Sequence, residues 1–283
     1  MTPRYDIDAT PVRRMLSHMF AMQNRANAAV NPDWHLAGNR WTRAIMVEGV
    51  ELLEHYGRWK WWKKQNSKPD LGQCQLELVD IWHFALSHFM AHFSIIDARD
   101  AILNEAVMLR IEQAQERAAS LEVSDAAFNT AVDALVGAAA NDLVDTDAFF
   151  ALCVMVELPF EKLYAQYIGK NLLHVFRQQY GYKTGRYVKD WNGKEDNLVL
   201  EEMMAELTHL TGEELEAAIK QGLLERYTQA CADAGWLILE TQSGPLLGKR
   251  EEHAEGSMLR MPLGGLHRLN DTSVLRNPPI LES

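Results

Sequence analysis

Trp41-Thr-Arg-Ala-Ile-Met-Val-Glu48-Gly-Val-Glu51-Leu-Leu-Glu-His55 and, further along, Gln73-Cys-Gln-Leu-Glu77-Leu-Val-Asp80-Ile-Trp-His-Phe-Ala-Leu-Ser87 are the two stretches on which the reading of the fold turns. In the first, Ile45, Met46, Val50, Leu52 and Leu53 recur at helical spacing, and Gly49 is the one break. A glycine costs a helix interior about 1 kcal/mol relative to alanine and is tolerated where something must approach the backbone closely. The second stretch lacks Gly and Pro, and its apolar positions repeat at three and four. Both are predicted helices. Each carries two carboxylates at i, i+3, a spacing that stacks them on a single helical face.

Two such faces turned toward each other gather Glu48, Glu51, Glu77 and Asp80. Four like charges that close oppose one another's ionisation, and divalent cations between them relieve the repulsion. An isolated Glu-x-x-Glu usually lies on a solvated face. Here Glu77 and Asp80 are embedded among Leu76, Leu78, Val79, Ile81, Trp82 and Phe84, so both cannot face water unless large apolar groups do too. Carboxylates inside an apolar helix need ionic or metal partners, since a buried, unpaired one protonates. Oxygen-only ligands select a hard ion, Mg²⁺ or Mn²⁺. Mg²⁺ completes its octahedron with water and substrate phosphates, which points to phosphate chemistry.

The rest of the chain reads as helix almost throughout, so the expected class is all-α. Helices are predicted at Val12–Ala29, Arg40–Tyr56 and Leu71–Arg110, the last interrupted near Asp97–Ala101. Others are expected at Asp125–Ala140, Asp147–Gly169, Lys170–Gln179, Leu198–Leu207 and Thr211–Glu240, where Thr211-Gly-Glu-Glu has the form of a capping start. Alanine-rich 126–140 suits close packing against another helix. Between Tyr180 and Asp196, Gly181, Gly185 and Gly193 alternate with Tyr, Lys and Trp, a loop pattern. Residues 1–240 are expected to form the catalytic domain, with metal-binding helices over 40–90 and a phosphate-closing region over 169–197. Residues 241–283 read as an extended tail of unknown role.

With 283 residues, 47% of them hydrophobic, the chain can bury a full core. A net charge of −11 argues against a duplex-DNA binder, which would present a basic face. Cys74, Cys153 and Cys231 are odd in number and widely spaced, as expected for free thiols in a reducing compartment. The N-terminus shows no signal-like apolar run and no segment is long enough to span a bilayer, so a cytoplasmic protein is expected. Against the acidic average stand two basic clusters. One is Arg58-Trp-Lys60-Trp-Trp-Lys63-Lys64, and the other is Lys170, Arg177, Lys183, Arg186, Lys189 and Lys194. Both suit a polyphosphate, whose charge they would balance during transfer. The indoles of Trp59, Trp61 and Trp62 can stack a nucleobase or serve packing.

Gln23, Glu48-Gly-Val-Glu51, Trp59-Lys-Trp-Trp-Lys63, Glu77-Leu-Val-Asp80-Ile-Trp-His-Phe84, Gly169-Lys-Asn171, Phe176-Arg177, Gly181-Tyr-Lys183, Trp191-Asn-Gly193 and Glu195-Asp-Asn197 occur in that order. Together they resemble the dimeric all-α dUTPases of kinetoplastid parasites, some bacteria and phages, within the all-α NTP pyrophosphatase superfamily. The resemblance covers residues 12 to 240. It implies a homodimer that hydrolyses dUTP, and dUDP as well, to dUMP, releasing pyrophosphate from the triphosphate. It further implies that Glu48, Glu51, Glu77 and Asp80 hold Mg²⁺, with Glu48 also activating the attacking water. By the same resemblance Gln23 and Asn27 read the base and Trp61 stacks on it, while His83 and Phe84 lie at the deoxyribose. Lys63, Lys170, Asn171, Arg177, Tyr182, Lys183 and Asn197 are implied to bind the phosphates.

A primary amide such as Gln23 or Asn27 serves uracil or cytosine according to which way it is turned, so a dCTP/dUTP pyrophosphatase of the same fold stands as the alternative. Asp80-x-x-His83 also weakly resembles the Glu-x-x-His motif of di-iron carboxylate oxidoreductases. That class needs the motif twice, and Glu48 and Glu51 have no histidine at i+3. His88 and His92, at i and i+4, could bind Zn²⁺ or simply pack.

Overall fold

A computed structural model describes residues 10–62, 68–92, 101–241 and 244–249. It divides into two compact units, one through Asn171 and one from Leu172. Lys63 and residues 250–283 of the expected tail lie outside the described residues.

The first unit is a helical bundle comprising α1 (Pro11–Val30), α2 (Trp41–Tyr56), α3 (Leu71–His92), α4 (Ala101–Ala118), α5 (Asp125–Ala140), α6 (Thr146–Met155) and the first half of α7 (Phe160–Gln179). Its helix starts are written locally. Thr10 caps α1 by accepting from the Arg13 N–H, with Pro11 at the first helical position. Ser124 and Asp145 cap α5 and α6 in the same manner. α2 stops at Gly57, whose φ of 70° a side chain would strain.

Helix α3 is the spine. From Cys74 to Met90 nearly every side chain is buried, and Trp82, wholly enclosed, stacks on Phe149 at 4.9 Å between ring centres. A helix apolar on all sides must be covered on all sides, and α1, α2 and α6 cover this one. α2 lies between α3 and the alanine-rich α5. A Cβ on Gly49 would stand 2.8 Å from Val136 Cγ2, so the glycine is what lets α5 come this close. α2 and α3 are antiparallel: the Asp70 N–H reaches the His55 carbonyl, and one turn on, the Cys74 thiol reaches the Leu52 carbonyl.

Two boundaries differ from expectation. The break predicted between Gly169 and Lys170 does not exist; α7 runs straight through it, and the break lies between α6 and α7, where Glu157 takes a φ of 58° ahead of Leu158-Pro159. Proline has no N–H to donate and restricts the residue before it, a stronger stop than an interior glycine. The long helix expected to end at Arg110 is α3 and then α4, which continues to Ala118; its interruption falls in 93–100, outside the described residues.

The second unit holds the rest of α7, a 3-10 turn at Tyr182–Thr184, a hairpin of β1 (Asp190–Trp191) with β2 (Lys194–Glu195), α8 (Asp196–Glu206), α9 (Gly212–Asp233) and a second hairpin of β3 (Trp236–Thr241) with β4 (Gly244–Lys249). The first hairpin turns on Asn192-Gly193, both at positive φ (57° and 81°), the preferred chemistry of a two-residue turn. The aromatic core centres on buried Tyr227, which stacks on Tyr187 at 5.2 Å and is flanked by Trp191, Phe176 and Tyr180. The expected helix Thr211–Glu240 is corrected at its end: it stops at Asp233, Gly235 turns at φ 77°, and Trp236-Leu-Ile-Leu forms a strand. Thr211 takes the N-cap position without a capping bond from its hydroxyl. No described helix is long and apolar enough to cross a membrane.

Candidate active site

Antiparallel α2 and α3 set the two acidic pairs face to face. Glu48, Glu51 and Glu77 each offer a carboxylate oxygen, and the three oxygens lie within 4.8 Å of one another. Their environments are graded: Glu51 is exposed, Glu48 half-buried and Glu77 buried. The fourth acid stands slightly apart. Asp80 Oδ2 lies 3.0 Å from the ammonium of Lys170 on α7, while its Oδ1 is buried without a hydrogen-bond partner. His55 Nε2, one turn beyond Glu51, approaches Glu77 Oε1 at 3.3 Å.

Crowding shows in proton affinities. Glu48 is pushed up to about 8, first by burial, then by the charge of Asp80, by its hydrogen bond with Glu77 and by the charges of Glu77 and Glu51. Burial also raises Glu77, with Asp80 and Glu51 adding to the rise, against the hydrogen bond from Glu48 and the nearby Lys170 charge. The raised affinities of Glu48 and Glu77, which are hydrogen-bonded to each other, reflect a crowding of like charge that a bound divalent cation would relieve. The set fits a hard divalent cation on three counts: its donors are oxygen only, three of them converge, and a buried oxygen of the fourth acid has no partner. No histidine belongs to the converging set.

Beside the acids runs a buried polar chain through α1, α3 and α7. Gln23 Nε2 donates to Asn27 Oδ1 at 3.0 Å, Asn27 Nδ2 donates to Ser87 Oγ at 2.9 Å, and the Ser87 hydroxyl donates to the His83 carbonyl at 2.9 Å. At the other end Gln23 Oε1 lies 2.7 Å from the Tyr167 hydroxyl and 3.5 Å from Asn171 Nδ2. His83 is buried, stacked on Tyr167 at 4.2 Å, with Nδ1–H donating to the Val79 carbonyl; burial lowers its affinity for a proton to a value of about 4. Phe84 stacks on Trp41 at 6.5 Å. Trp61, by contrast, stands 85% exposed in the segment after α2, edge-on to Trp62.

Of the residues expected at phosphates, Lys170 and Asn171 are buried on α7 in the first unit. Arg177, Tyr182, Lys183 and Asn197 belong to the second. There the Arg177 guanidinium grips fully buried Asp196 at 2.8 and 2.7 Å and donates to Asn197 at 3.1 Å, while Tyr187 donates to the same carboxylate. Tyr182 and Lys183 are exposed on the 3-10 turn. Lys189 and Lys194 of the second basic cluster pair with Glu195 and Glu202. Sequence reasoning missed His55, Ser87, Tyr167 and Asp196. Tyr167 had a legible signal: it precedes Lys170 and Asn171 by three and four residues and therefore shares their helical face.

The family model described as dUTPase matches residues 15–182, a span that includes all four acids and the whole polar chain. No individual curated protein matches. A helical framework that gathers carboxylates for a divalent ion is the machinery such an activity requires, and the chain belongs to the all-α dUTPase family, hydrolysing dUTP as a dUTP diphosphatase.

Proposed function

We propose that the enzyme is Mg²⁺-dependent, with Mn²⁺ able to substitute, and converts dUTP to dUMP and pyrophosphate at the carboxylates of α2 and α3. It would also convert dUDP to dUMP. The observation that carries this reading is the convergence of Glu48, Glu51 and Glu77 beside the unpartnered Asp80 oxygen. These four residues hold the ion. Once bound, Mg²⁺ neutralises phosphate charge and lowers the pKa of water.

The side chains do the rest. Water oxygen bonds to phosphorus as the bond joining the α-phosphate to the β-phosphate breaks, and Glu48 takes the water proton on its carboxylate. Glu48 suits that role by position, half-buried beside Glu51 and Glu77 where the ion and its water would sit. Lys170 exchanges its pairing with Asp80 for phosphate oxygens, joined by Asn171, Arg177, Tyr182, Lys183, Asn197 and Lys63. Gln23 and Asn27 meet the base, Trp61 stacks on it, and His83 and Phe84 line the deoxyribose. The working form is a homodimer in the cytoplasm without nucleic-acid partners; exposed Val47, Val50 and Leu36 are consistent with a protein contact.

Pyrophosphate release from dUTP tests the assignment. Glu48→Gln should lower kcat by about a hundredfold or more, the usual contribution of a general base. Wild-type turnover in that variant removes Glu48 from its role.

A further inference from the structure

The polar chain linking α3, α1 and α7 has a direction, and a single fixed atom sets it. The His83 carbonyl can only accept, so the Ser87 hydroxyl must donate to it. Ser87 Oγ can then accept only from an N–H, which turns the Asn27 amide nitrogen toward Ser87 and its oxygen toward Gln23. That oxygen requires the Gln23 nitrogen, leaving Gln23 Oε1 to face Tyr167. The far end agrees. Tyr167 Oη, 3.1 Å from the Met19 carbonyl and 2.7 Å from Gln23 Oε1, has one proton and is closer to the amide, and Asn171 Nδ2 donates to the phenol oxygen at 3.3 Å. Burial keeps the phenol protonated. Reversing the Gln23 amide would set nitrogen against the phenol and oxygen against the Asn27 oxygen, leaving buried polar atoms unsatisfied.

We infer that Ser87 and Tyr167 are specificity-positioning residues, which lock the Gln23 and Asn27 amides so that only a uracil edge is complementary. The inference rests on the reading that those two amides face the base. Each amide nitrogen has a second N–H beyond the bonds above, and Asn27 Oδ1 has a second lone pair. What the pair can still offer is therefore donor, acceptor, donor. Uracil presents acceptor, donor, acceptor at O4, N3–H and O2. Cytosine presents an amine at position 4 and a bare N3, and so opposes donor to donor and acceptor to acceptor. Neither Ser87 nor Tyr167 is assigned a contact with the nucleotide. Their effect passes through the amides they hold.

Tyr167→Phe removes the hydroxyl and keeps the ring that stacks on His83, and Ser87→Ala cuts the chain at its other end. Steady-state kinetics with dUTP and dCTP, on wild type and both variants, give the ratio of kcat/KM for the two substrates. In each variant the ratio should fall about tenfold to a hundredfold, through a higher KM for dUTP and a lower one for dCTP, with kcat on dUTP little changed. Equal losses on both substrates, or a ratio within twofold of wild type at an unchanged Tm, would show that the two residues serve packing alone and overturn the inference. A wild-type enzyme that prefers dCTP would refute the assignment of base contacts beneath it. Since wild type and variants are measured side by side, the two failures are distinct.

Discussion

Acidifying the metal-free protein from pH 8 to pH 6 should weaken divalent-ion binding steeply, and the size of the loss follows from one carboxyl. Glu48 holds its proton up to a pKa of about 8, and a cation entering the cluster must displace it. The competition factor is 1 + 10 raised to (pKa − pH), which is about 2 at pH 8, about 10 at pH 7 and about 100 at pH 6. Apparent affinity therefore falls about fiftyfold between pH 8 and 6, roughly 2.3 kcal/mol of binding free energy. The direction is fixed by the raised pKa: the protonated form, a neutral carboxyl that is a poor ligand for the ion, prevails below about 8. Titrating Mn²⁺ calorimetrically in two buffers of different ionisation enthalpy reads both quantities, affinity and protons released. About 0.9 proton per ion should appear at pH 7. Binding that is flat from pH 6 to 8, with no proton released, would mean that Glu48 is not where the ion sits.

Three further outcomes are expected. His83, buried with a pKa of about 4 against 6.5 unfolded, stabilises the fold above pH 6.5 and loses that stability as pH falls toward 4, by up to about 3 kcal/mol; urea midpoints at pH 7 and pH 4.5 measure it, and His83→Gln should flatten the difference. Gly49→Ala forces a Cβ to 2.8 Å from Val136 Cγ2 and should cost about 1–3 kcal/mol, largely recovered in the double variant with Val136→Ala, as a double-mutant cycle would read. Lys170→Met removes the ammonium 3.0 Å from Asp80, so Mn²⁺ should bind about tenfold more tightly to the metal-free protein while KM for dUTP rises; weaker Mn²⁺ binding would contradict the ion pairing seen here.

How much of the fold was legible depended on whether its determinants were local. Helices α1, α2, α5 and α8 are bounded by residues that act on their own turn, such as Thr10-Pro11, Gly57 and Ser124, and they were read within about two residues of their ends. The Gly169-Lys170 break was misread because a glycine permits a break without requiring one, whereas Leu158-Pro159 requires one. Trp236-Leu-Ile-Leu was misread as helix for a different reason. An apolar run that short has no decisive period, and only pairing with residues 244–249 makes it a strand.

The candidate site divides along the same line. Carboxylates at i, i+3 announce themselves, because covalent spacing alone puts them on one face, and the antiparallel register of α2 and α3 then brings three of the four together. What no spacing could disclose is what stands between them. The Asp80–Lys170 pair joins residues 90 positions apart, and the Gln23–Tyr167 bond spans 144. Both come from α7, a helix whose sequence gives no sign of which neighbour it will meet. α7 supplies both partners: its ammonium pairs with the acid that does not converge, and its phenol holds the amide proposed to read the base. The acids explain why a metal would bind. Under the roles proposed above, Lys170, Asn171 and Tyr167, within two turns of one helix, put the phosphate contact and the lock on the base-reading amide on a single element.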